Sequence, residues 1–221
     1  MPVCSLPRMT AALLGFALAA TLLILAPGPD SMLVMRNSLR GGRPMGLSTT
    51  AGILTGLLSW ALAATLGLSS LLAASRIGYD VLRFAGGGYL IWLGVTSLWP
   101  RHPRPSAEAL SSGPAAAAIP ALGLRRAYLN GVISNLFNPK VGAFFIAFLP
   151  GFIPPRASVR EFSLLFGIWF ALETGIWLAT LVWMVNRGVV WISRSKIQRR
   201  LEKLTGLVLI GFGIRLATET R

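Results

Sequence analysis

The chain has 221 residues, of which 54% are hydrophobic and 13% charged, at a mean hydropathy of +0.66. That is more apolar surface than a soluble domain of this length can hide, so residues 1–221 read as one all-α integral membrane domain. The net charge of +14 would suit nucleic acid, but the basic residues stand mostly in short stretches between apolar runs, where they act as topology signals and contacts to anionic lipid; no nucleic-acid partner is expected.

Six apolar runs follow one another along the chain: 9–35, 46–74, 79–99, 128–153, 162–185 and 204–217. All but the last reach the about 20 residues that a bilayer requires. The first begins after Arg8 in the manner of a signal peptide, but proline and acid follow it in place of a small-residue cleavage site, so it is expected to be retained. It is interrupted by Ala26, Pro27, Gly28, Pro29 and Asp30. Proline removes an amide donor and clashes with the preceding turn, so the helix stops there and restarts. Pro27 and Gly28 are the unwound part, and Pro29 suits the first position of the new helix.

In the second run Gly52 and Gly56 form a small-xxx-small pair suited to helix packing, and Gly86, Gly87, Gly88 and Gly94 play the same part in the third. Trp99 and Trp191 are expected at the membrane interface. Residues 100–126, rich in proline, serine and alanine, separate a first half (9–99) from a second (127–217). His102, the single histidine, lies in this linker, and Cys4 is the single cysteine, so no zinc site, disulfide within the chain or redox pair can be assembled and no cofactor is expected.

The fourth run is broken by Asn138, Pro139 and Lys140, which read as an N-cap, the first helical residue and a cation in the first turn. Backbone freed by proline inside lipid survives only where it lines a cavity or faces protein. A helix start there attracts a carboxylate, which Lys140 reinforces, while Asp30 suits an ammonium group or a proton. Together Pro27, Gly28, Pro29, Asp30, Asn138, Pro139 and Lys140 are the candidate site for a small zwitterion. The alternative is that Asp30 and Lys140 merely neutralise one another. Glu173 lies about eleven residues into the fifth run, roughly 17 Å deep, and is a candidate proton carrier or cation partner. The cluster from Arg194 to Lys203 suits an amphipathic segment on anionic lipid.

The stretches after runs one, three and five hold thirteen lysines and arginines against seven on the other side, which predicts a cytoplasmic position for the former and both termini outside. At an offset of 119 residues, Gly87, Leu90, Ile91 and Gly94 superpose on Gly206, Leu209, Ile210 and Gly213. With three runs in each half, the second half enters the bilayer from the opposite side, giving six helices in two inverted three-helix repeats.

Ala26-Pro27-Gly28-Pro29-Asp30, the run Gly88-Tyr89-Leu90-Ile91-Trp92-Leu93-Gly94, and Asn138-Pro139-Lys140 followed by Phe144-Phe145 and Phe148-Leu149-Pro150 resemble the LysE/RhtB family of bacterial amino acid exporters, from about residue 10 to 217. The resemblance implies efflux of amino acids or their derivatives across the inner membrane, driven by the proton or membrane gradient. The family's two motifs map onto Pro27 to Asp30 and Asn138 to Lys140. Gly151 stands where the family commonly has glutamine, and Glu173 matches no family motif. Two other classes stay open on the residues alone: a structural or accessory membrane protein, and a membrane-embedded enzyme, for which no nucleophile or metal cluster is in sight. Homo-oligomerisation through small-residue faces is compatible with either half.

Overall fold

A computed structural model of the chain describes residues 6–25, 28–74, 76–98, 123–154, 157–188 and 195–218. Pro27, Trp99, most of the linker with His102, Trp191, Arg194 and Cys4 lie outside them. Every regular element among the described residues is helical: α1 (Leu6–Leu25), α2 (Pro29–Ala74), α3 (Arg76–Leu98), α4 (Leu124–Leu136), α5 (Pro139–Ala143), a π turn (Phe144–Phe148), a 3-10 turn (Leu149–Phe152), α6 (Val159–Asn186) and α7 (Ser195–Thr218). Pro29–Gly67 and Val159–Asn186 are long and apolar enough to cross a membrane, and α4 with Pro139–Phe152 is a third candidate, bent by 47° at the break.

Both restarts lie where proline chemistry puts them. Pro29 opens α2 and Pro139 opens α5, with Asn138 as its N-cap. The boundary after the first run does not fall at Met35, however. The helix continues to residue 40, carrying Arg36 and Arg40, and the chain turns at Gly41 and Gly42. Gly42 has φ +67°, a conformation that disfavours any side chain. The turn is a true corner. Asn37 Nδ2 donates to Thr49 Oγ1 at 2.8 Å, although twelve residues of straight helix would separate them by about 18 Å. The charged stretch before the last run is likewise not a separate segment, because α7 starts at Ser195 and includes it through Lys203. Residues 124–126 of the expected linker belong to α4.

The packing fixes relative directions. The arm of α2 after the corner runs against α6, with Gly46 beside Val182, Leu54 beside Gly175 and Ala61 beside Gly167. The same arm runs with α4: a Cβ at Gly52 would lie 2.0 Å from the Tyr128 carbonyl oxygen, and one at Gly56 2.7 Å from Asn135 Oδ1. Helices α3 and α7 are antiparallel. Gly94 abuts Gly206 and Ile210, while Gly213 abuts Gly87 and Ile91, so the offset of 119 exchanges one set of contacts for the other. Gly88 is open to its surroundings and takes no part in this seam. Phe16 of α1 stacks on Phe166, Phe144 of the π turn stacks on Phe170, and with Phe145, Phe148 and Phe152 they form an aromatic core around the second break. Leu14, Leu18, Leu62, Leu66, Leu172 and Ile176 face outward, as lipid-facing side chains do.

Candidate functional site

The two breaks meet. Asp30, in the first turn of α2, is buried, and its carboxylate accepts from Ser134 Oγ at 2.7 Å, Asn135 Nδ2 at 2.9 Å and Asn138 Nδ2 at 3.0 Å. All three donors come from the end of α4 and the break that follows it. Asn138 has a double duty, since its Oδ1 accepts from the Lys140 amide at 3.1 Å and caps α5. Three hydrogen bonds to an ionised carboxylate, each shorter and stronger than a neutral one, are what allows a charge to be buried here.

Lys140 reaches the other way. Its Nζ donates to the carbonyl of Leu23, one of the carbonyls in the last turn of α1 that has no amide partner within the helix. A cation at a helix C-terminus is favourable on both hydrogen-bonding and dipole grounds. Each charge therefore engages the opposite half of the chain, and each has its own partners.

Between them lies a cleft of about 430 Å³, measured to its open mouth, lined by Gly28, Asp30, Asn135, Asn138 and Lys140 on the polar side and by Leu57, Val141, Phe170 and Leu178 among its apolar walls. That mixture of a polar side and apolar walls suits a small molecule with charged ends. Of the residues expected at the site, Gly28, Asp30, Asn138 and Lys140 line the cleft. Pro29 and Pro139 are not in the lining; they are the exposed first residues of their helices. Glu173 is not in the lining: it accepts from the Trp169 indole at 2.6 Å and from Thr21 Oγ1 at 3.3 Å, tying α6 to α1 beside the cleft.

Four polar residues at the site were missed by sequence reasoning: Ser134, Asn135, Thr174 and Trp177. For the first pair a signal existed. Asn135 and Asn138 are three apart, hence close to one face of a helix end, inside an otherwise apolar run. Trp177 and Thr174 carry no such mark, because an indole and a threonine in a membrane helix ordinarily pack.

The model of the LysE type translocator matches residues 21–220. The chain belongs to that family. Among relatives of this translocator, the uncharacterized membrane protein YrhP of Bacillus subtilis (strain 168) is 32% identical over 203 residues, covering 92% of this chain and 97% of its own. An uncharacterized membrane protein of Pseudomonas aeruginosa is 28% identical over 93% of this chain and 94% of its own. The homoserine/homoserine lactone efflux protein of Salmonella typhi is 28% identical, over 92% of this chain and 94% of its own. No solved structure matches the chain.

Proposed function

We infer that this membrane translocator is a secondary exporter of amino acids or close derivatives, with the cleft at the two helix breaks as its binding site. The observation that carries the reading is the crossed pair of charges. Asp30, held by Ser134, Asn135 and Asn138, offers a carboxylate to an ammonium group, and Lys140 offers a cation to a carboxylate at the same cleft. Pro27 completes the motif in sequence. A relative whose name describes homoserine and homoserine lactone efflux supports a cargo of this kind.

Two inverted three-helix repeats with six crossings accord with the helix directions. The α2 arm runs with α4 and against α6, and α3 runs against α7, as alternate crossings demand. The exchange of contacts between α3 and α7 under the offset of 119 is what a two-fold axis in the membrane plane produces. Rocking of one repeat against the other would expose the cleft alternately to the two sides. Family membership argues for a bacterial inner membrane, and the basic stretches argue for both termini outside. Coupling to the proton or membrane gradient is assigned to Asp30 or Glu173, the acids at and beside the cleft.

A growth-resistance and efflux screen of cells overexpressing the protein, against all amino acids and common analogues, tests the function. Export of at least one of them above the vector control is the expected result. No export across the panel contradicts it.

A further inference from the structure

Threonine hydroxyls inside helices ordinarily donate to the carbonyl four residues back, as those of Thr49, Thr50, Thr55 and Thr180 do. Thr21 and Thr205 turn away from their own helices, and both meet at one place, the last turn of α1. Thr21 Oγ1 donates to Glu173 of α6 at 3.3 Å, and Thr205 Oγ1, on α7, donates to the Leu22 carbonyl at 3.3 Å. The next carbonyl, that of Leu23, accepts from the Lys140 ammonium of α5. Its amide partner four residues on would be Pro27, which has no N–H, so no continuation of the helix could satisfy it. Three consecutive residues are thus tied to three different helices, all in the second half of the chain. Leu23 and Ile24 of the same turn line the cleft.

Further back, α1 is held differently. Phe16 is fully buried and stacks on Phe166, and Ala19 and Ala20 are buried in the same core. Water cannot replace close packing of this kind. It can replace a hydrogen bond, because each polar partner exchanges the other for water at a small net cost. The end of α1 is therefore the part of the helix that can leave the second half while its body stays packed. We propose that this last turn is a gate on the α1 side of the cleft, latched shut by Lys140, Thr205 and Glu173. If the two halves rock to expose the cleft alternately, they must separate along it, and these bonds cross between them. The proposal deepens the exporter reading and rests on it for the gate's role in transport.

The test needs no cargo. In the full chain with Cys4, the single cysteine, replaced by serine, Leu23→Cys puts a reporter on the gate, where the native side chain is 3% exposed and the latching carbonyl belongs to the backbone. Proteoliposomes are treated on both faces with a charged methanethiosulfonate, and the rate of modification reports the open population. Lys140→Met should raise that rate about tenfold or more, and Thr205→Val and Thr21→Val about fivefold each, the factors expected for one charged and one neutral hydrogen bond. Thr205→Ser should return the rate to that of the parent by restoring the hydroxyl. Ile53→Cys, at a position 0% exposed and outside the cleft lining, should stay protected in every one of these backgrounds. Fast labelling of Leu23→Cys with the latch intact, a parental rate in Lys140→Met or in both valine variants, no recovery in Thr205→Ser, or labelling of Ile53→Cys in step with Leu23→Cys overturns the inference. An absence of amino acid export is a separate result, which removes the exporter reading and leaves the labelling unchanged.

Discussion

The first break places proline at the start of α2 with Asp30 next to it, and the second places proline at the start of α5 with Lys140 next to it, yet only the second carries its own cap. Asn138 caps α5 and donates to Asp30 in the same geometry, whereas the Lys140 ammonium satisfies the end of α1. The two breaks are one device used twice and then interlocked, with each charge serving the half that lacks it. The difference teaches why both motifs are needed in one chain. Removing either leaves donors or acceptors of the other unmet in a place where water is scarce.

The largest expected effect breaks the interlock at its acid. Asp30→Asn turns an acceptor into a group with two donors facing the Asn135 and Asn138 amides, and flux should fall by about a hundredfold while membrane abundance, read by quantitative immunoblot, stays near wild type. Lys140→Ala should cost as much from the other side, and wild-type flux in both variants would remove the charges from the mechanism. Asn138→Ala loses both a cap, worth about 1 kcal/mol, and one bond to Asp30. Flux should drop about tenfold, with partial recovery in Asn138→Ser, which restores the cap alone.

Smaller effects sharpen the comparison from outside the cleft. Gly52→Val drives a Cβ into the Tyr128 carbonyl, and overpacking of this kind costs about 1–3 kcal/mol. Thermal unfolding in detergent should shift down by a few degrees, because the seam between α2 and α4 positions the donors to Asp30. The least disruptive change is Glu173→Gln. An amide oxygen still accepts from the Trp169 indole, so abundance and downhill flux should persist, while acceleration by an imposed pH gradient should fall several-fold if Glu173 carries the coupling proton.

Much of this was legible in the sequence because it depends on local chemistry. Pro29 and Pro139 open helices, and Asn138 caps one, for reasons confined to a few residues. The repeat that relates the glycines of α3 and α7 was legible, but not that these glycines bring the two helices together. The first run ends at Met35 in the sequence because hydropathy falls at Arg36, whereas the helix continues to residue 40 and the backbone turns where Gly42 permits a positive φ. What could not be read was the long-range chemistry. Asp30 and Ser134 lie 104 residues apart, and nothing local distinguishes Thr174 from Thr180, whose hydroxyl is satisfied by its own helix. The neutral donors to Asp30 at the end of α4 likewise carry no local mark that ties them to it.

The central claim is that the interlocked charges form a binding site for a small zwitterion. Counterflow of radiolabelled homoserine into proteoliposomes preloaded with unlabelled homoserine tests it most directly, with wild type and Asp30→Asn reconstituted at equal density. The account predicts transient accumulation of label by the wild type and background uptake by Asp30→Asn. Equal accumulation by both would contradict it.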